Sequence, residues 1–125
     1  MNTKKSQVTF NFALKVPAAD VEAVEKVLAN HAAWMKSTHS LEAVDGKVHL
    51  VDYHVSKGLE LKNMMDPSEG DTGFVLYLLN ETYAQPDGTE QHMVHAQKWE
   101  GLPEFFGTMT KYSEVKFAGN LIHTL

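Results

Sequence analysis

His92 and His95 stand three residues apart, so on a helix they share one face. That spacing suits two ligands of one metal ion, or a base beside its neighbour. A metal needs a third ligand, and only residues such as Glu90, His123 or Asp52 could offer one. Solvated or capping histidines are the simpler expectation, and no metal is expected. On a strand, Asp52 and His54 alternate onto one face, with His49 and Tyr53 on the other. In a dry cavity a carboxylate beside an imidazole could serve as a general base. On a half-solvated or edge strand the same pair is only a surface contact. Asn11, an amide within an alternating apolar run, and His123, near Phe117 and Leu121, complete the polar candidates.

Several chemistries lack their residues. There is no cysteine, hence no disulfide, thiolate ligand or cysteine nucleophile. No Gly-x-Ser-x-Gly elbow, phosphate-cradling glycine loop or Gly-x-Gly-x-x-Gly fingerprint occurs. Asn80-Glu81-Thr82 fits a glycosylation pattern by chance, at a strand end. All eleven basic residues are lysines against sixteen acidic ones, a formal charge of −5. Without arginine forks or a basic face, nucleic acid is not an expected partner.

The apolar inventory is more suggestive. Six methionines, two tryptophans, four tyrosines and six phenylalanines occur in 125 residues. Trp34, Met35, Met93 and Trp99 fall on helical segments, as do Phe105, Phe106 and Met109. Adaptable methionines and broad aromatic faces suit a pocket for a hydrophobic ligand, with Tyr77, Asn11 or a histidine to orient it. Plain core packing would use the same residues.

These side chains need elements to carry them. Val8 to Val16 alternates apolar and smaller or polar residues with period two and predicts a strand that Pro17 stops. A helix follows from Ala18 or Asp20 to about Ser37, with Val21, Val24, Leu28, Trp34 and Met35 at helical spacing. Asp45-Gly46 turns into a strand over Lys47 to Lys57, and Asn63 to Thr72 reads as a loop. Gly73 to Thr82 carries an unbroken apolar run, Phe74 to Leu79, as in a strand buried on both faces. After a turn at Gln85 to Gly88, Asp87 or Thr89 caps a helix reaching Trp99. Gly101 interrupts it, Leu102-Pro103 restarts a helical piece through Met109, and a last strand covers Val115 to Thr124.

The order is β, α, β, β, α, β, so residues 1–125 read as one α+β domain of ferredoxin-like plan. Four antiparallel strands carry both helices on one face. Helices cover only that face, so the second apolar face of the third strand calls for a second copy of the chain, giving a homodimer with sheets packed face to face. The polar stretch Met1 to Gln7 lacks a secretory pattern, and no run approaches the roughly 18 apolar residues of a membrane span. A cytoplasmic location without a membrane partner is expected.

On this plan the chain resembles the dimeric α+β barrel superfamily, which includes antibiotic-biosynthesis-type monooxygenases and stress-responsive barrel proteins. The resemblance rests on Gly73-Phe-Val-Leu-Tyr77 and on Thr89 to Tyr112, where His92 or His95 precedes Pro103 to Phe106. It implies a cavity in each subunit between helices and sheet. In oxygenases of the group a strand asparagine and a tryptophan hold substrate or peroxide oxygen, and haem-degrading members add a histidine on the second helix. Asn11, Trp99 and His92 or His95 are the matching positions here. The expected function is binding of a fatty-acyl or aromatic molecule in an apolar pocket. The alternative is a cofactor-independent monooxygenase or isomerase acting on an aromatic or polyketide-like substrate. A ligand-free interaction protein is the third reading. No cofactor is expected.

Overall fold

The computed structural model describes residues 7–125, so all of the polar N-terminal stretch except Gln7 lies outside the described residues. The period-two run becomes strand β1, Val8–Pro17. Proline has no N–H to continue the ladder, and a 3-10 turn at Ala18–Asp20 leads into helix α1, Val21–Thr38. A two-residue strand β2, His39–Ser40, follows, then β3, Val48–Leu61, and β4, Asp71–Tyr83. The second helical stretch is split into α2, Gly88–Ala96, and α3, Leu102–Tyr112, with Pro103 in the first turn of α3. Strand β5, Ser113–Asn120, closes the sheet.

The strands lie in the order β2-β3-β4-β1-β5. The four long ones pair antiparallel, as expected for a ferredoxin-like domain. The additional edge strand β2 pairs parallel to β3. Leu14 and Val16 of β1 and Val75, Tyr77 and Leu79 of β4 meet Val24 and Leu28 of α1 and Phe105 and Met109 of α3 in the main core. Each such side chain contributes about 1.5–3 kcal/mol by leaving water, and together they press the helices onto one face.

Strand β4 turns Val75, Tyr77 and Leu79 toward the helices, while Leu76 and Leu78 point away and are 37% and 39% exposed in the single chain, the face expected to meet a second copy. Three expectations are corrected. His49 does not share a face with Tyr53. Leu50 pairs with Tyr83 and Asp52 with Thr82, so Val51 is an extra residue, a bulge that resets the alternation. The last strand ends at Asn120, leaving His123 exposed beyond the sheet rather than packed with Phe117. The helix expected to reach Trp99 stops at Ala96.

Candidate functional site

Strand parity aims Glu81 at the helices, in line with Leu79 and Tyr77. Its side chain is 1% exposed. Helix α1 delivers His31 to the same place, three residues after Leu28, fully buried. Helix α2 delivers His92 from the other side. Nε2 of His31 lies 3.4 Å from Oε2 of Glu81, and Nδ1 of His92 lies 3.4 Å from Oε1.

A ring of polar groups holds this trio. Tyr83 donates to Glu81 Oε1 at 2.6 Å and its oxygen is 2.7 Å from His92 Nδ1. Tyr53 is hydrogen-bonded to His31 Nδ1 at 3.0 Å. Nε2 of His39 approaches His92 Nδ1 at 3.1 Å, while its own Nδ1 lies 2.7 Å from the Thr38 hydroxyl. The His31 ring stacks on Phe105, with centroids 4.1 Å apart and planes 9° from parallel.

Burial governs the charges. It pushes His31 and His92 down to about 3 and His39 down to about 4, each helped by neighbouring imidazoles. At neutral pH all three are therefore uncharged. Burial also pushes Glu81 up to about 7, against the hydrogen bond from Tyr83. Burial likewise raises the Tyr53 and Tyr83 hydroxyls, with the Glu81 charge adding to both. Such a group can hold and move a proton, or present two imidazoles and a carboxylate to an ion.

Next to the trio opens a cavity of about 190 Å³. Phe10 and Phe12 of β1 form one wall, Trp34 and Trp99 another, and Phe105, Phe106 and Met109 of α3 a third. The two indoles stack 4.8 Å apart and 14° from parallel. His31, Glu81 and His92 supply the polar wall, and Thr110 and Lys116 add further polar groups to the lining.

Of the residues singled out from sequence, the structure brings His92, Trp99, Trp34, Met93, Phe105, Phe106 and Met109 to this cavity. Six others stand elsewhere. Asn11 is on the opposite sheet face, paired with Asn80 and Phe117, where its amide donates to Thr9 Oγ1 at 2.7 Å. His95 is half-buried outside the cavity, so the pair on one helical face does not converge on one centre. Met35 packs with Val48, Leu50 and Tyr83 in a second core cluster. Tyr77 lies in the main core and donates to Glu25 Oε2 at 2.6 Å. Asp52 and His54 form a 2.6 Å pair, half-exposed rather than in a dry cavity.

Sequence reasoning passed over His31 and Glu81. Signals existed for both. His31 falls seven residues after Val24 and four before Met35, on the apolar stripe of its helix, and Glu81 has the inward parity of an apolar strand.

No family model and no curated protein matches the chain. Among solved structures, a candidate antibiotic biosynthesis monooxygenase from Caulobacter crescentus superposes with a TM-score of 0.55 at 17% identity, covering 96% of this chain and 93% of that one. A conserved protein from Methanosarcina mazei gives 0.51 at 11% identity, covering 94% and 92%. The chain has their fold. It is the ferredoxin-like fold of antibiotic-biosynthesis-monooxygenase-like proteins. SnoaB, a cofactor-independent oxygenase from Streptomyces nogalater, lies further off, at a TM-score of 0.47 and 15% identity over 95% of this chain and 94% of that one. Among the described residues no helix is long and apolar enough to cross a membrane.

Proposed function

We propose that this protein is a small-molecule-binding dimeric α+β barrel domain whose cavity takes one aromatic ring or a similarly compact apolar group. The observation that carries this reading is the cavity, about 190 Å³ and lined by aromatic and methionine side chains, with its buried polar groups gathered on one wall. Dry apolar cavities of about 150 Å³ hold benzene, so this one has room for a single substituted ring. A longer acyl chain or a fused ring system would have to project past Phe106 and Met93, which are 66% and 42% exposed. Trp34 and Trp99 offer a flat stacking surface, while the trio gives a polar substituent something to bind.

A second reading, an oxygenase or isomerase working on an electron-rich ring, is favoured by His92 and Trp99 facing the cavity beside Glu81. The shared fold with the Caulobacter protein supports it. Asn11 has no part in it within one chain, since the sheet stands between the amide and the cavity. The dimer rests on the outer sheet face, where Leu76, Leu78, Val115 and Phe117 form an apolar surface that no element among the described residues covers. Burying it against a second copy closes the two-layer domain into a barrel.

The test is mass spectrometry of small molecules released by denaturation, followed by thermal shift with substituted monocyclic aromatics. A ligand at one hundred times its Kd stabilises by about 2.7 kcal/mol. The reading fails if no compound is retained and none of the panel shifts the transition. Oxygen uptake with an electron-rich phenol, present in native protein and lost in His92→Ala, would move the conclusion to the second reading.

A further inference from the structure

We propose that Nε2 of His31, the Glu81 carboxylate and Nδ1 of His92 are the protein ligands of a divalent transition-metal ion, zinc or a first-row neighbour, at the polar wall of the cavity. The site stands whether or not the cavity holds an organic ligand.

The spacing supports it first. One imidazole nitrogen faces each oxygen of the same carboxylate, both at 3.4 Å, and the three donor atoms lie within 4.8 Å of one another. Donors about 2.0–2.2 Å from a tetrahedral ion stand about 3.4 Å apart. Whichever carboxylate oxygen ligates, one edge of the ligand set therefore already has the right length, and the remaining donor distances, all within 4.8 Å, close by small side-chain shifts.

Nε2 of His31 supplies an independent observation. It is buried and has no hydrogen-bond partner, because Glu81 is close enough but out of line. A buried polar atom without a hydrogen bond is costly, and an ion bound at this nitrogen would satisfy it. The rest of the ring is already fixed. Tyr53 holds Nδ1 at 3.0 Å and Phe105 stacks on the face. Glu81 is held by Tyr83. Ligating histidines and carboxylates characteristically have outer partners such as Tyr53 and Tyr83, which orient their lone pairs. At His92 the Tyr83 hydroxyl and His39 Nε2 lie 2.7 and 3.1 Å from Nδ1 itself, so the ion would take the place of these contacts.

Charge points the same way. Glu81 is buried with no lysine paired to it; the described lysine ion pairs are Lys15 with Glu60 and Lys57 with Glu25. A divalent ion would neutralise the carboxylate and leave one open position toward the cavity for water or ligand. Two imidazoles and a carboxylate select zinc, cobalt, iron or manganese over magnesium or calcium, which prefer oxygen alone.

The test is titration of EDTA-treated, dialysed protein with Co²⁺. One equivalent should bind with the intense visible bands of a four- or five-coordinate ion, and Zn²⁺ should displace it. Glu81→Gln keeps an acceptor for Tyr83, and His31→Phe keeps the stack on Phe105. Each should weaken Co²⁺ binding by about 100-fold or more, with near-ultraviolet circular dichroism showing that the variant is folded. His54→Ala, at the exposed pair with Asp52, should change nothing. Absence of the bands in excess Co²⁺ overturns the proposal. So does their survival in either folded variant, which would place the ion at other histidines.

Discussion

The ring of His31 sits between two polar groups, with the Tyr53 hydroxyl hydrogen-bonded to Nδ1 at 3.0 Å and the Glu81 carboxylate 3.4 Å from an otherwise unpartnered Nε2. Because Tyr53 lies on β3, Glu81 on β4 and His31 on α1, this contact ties two neighbouring strands to the helix above them. Tyr53 reaches it only because the bulge at Val51 turns its side chain inward. Removing the hydroxyl should free the imidazole to rotate without emptying the core.

Tyr53→Phe should therefore remain folded and lose about 1 kcal/mol, the ordinary net value of one hydrogen bond, as measured by urea unfolding. Its Co²⁺ affinity should fall by about 10- to 100-fold, as for loss of an outer-shell partner. An unchanged affinity would mean that Tyr53 serves packing alone.

Two glycines separate stability from function. A Cβ on Gly88 would lie 2.3 Å from the Cβ of Tyr83. Neither atom can swing away, so Gly88→Ala must shift backbone at the start of α2 and should destabilise by about 1–3 kcal/mol or more. A Cβ on Gly101 would meet the Trp99 ring at 2.5 Å, and that ring can turn. Gly101→Ala should cost less stability but break the Trp34–Trp99 stack. Tryptophan fluorescence and ligand thermal shift should both change in Gly101→Ala, whereas urea unfolding should separate Gly88→Ala from it.

Element order and the cavity roof were legible in the sequence because apolar periodicity reports burial directly. Val8 to Val16 alternates with the period of a strand, and Phe105 and Met109 of α3, four residues apart, form a buried stripe, whereas Phe106 is 66% exposed. The polar wall was harder to read. His31 and Glu81 are fifty residues apart in sequence and meet only through strand pairing and helix docking, so no local spacing joins them. His92 and His95 show the converse, a local spacing that tertiary structure separates, since only His92 faces the strand that carries Glu81. Parity arguments on β3 failed at one residue, Val51, because a bulge follows from the register of the partner strand rather than from the strand's own composition.

The outer sheet face gives a test of assembly. Leu78 of β4 and Phe117 of β5 are 39% and 52% exposed and belong to no core cluster. Leu78→Lys with Phe117→Asp should leave the helix-facing core untouched and convert a dimer into a monomer, because charge on the interface would have to be desolvated. Sedimentation velocity should show the mass halved with an unchanged circular dichroism spectrum. A native protein that already sediments as a monomer would remove the dimer from the proposed function.

Ala96 offers the sharpest check on the cavity. It is buried on α2 and lines the space beside the indoles. Leucine at this position would extend an apolar side chain into the cavity rather than into packed atoms. Filling a void gains contacts that the native core lacks, so Ala96→Leu should unfold at the same or a higher temperature than the native protein. It should also lose any copurifying ligand and fail to shift with the aromatic panel. Retained Co²⁺ binding in the same variant would show that the trio is intact and that only the organic ligand has been excluded. If Ala96→Leu instead destabilises the fold and still carries its ligand, the molecule occupies some other part of the protein.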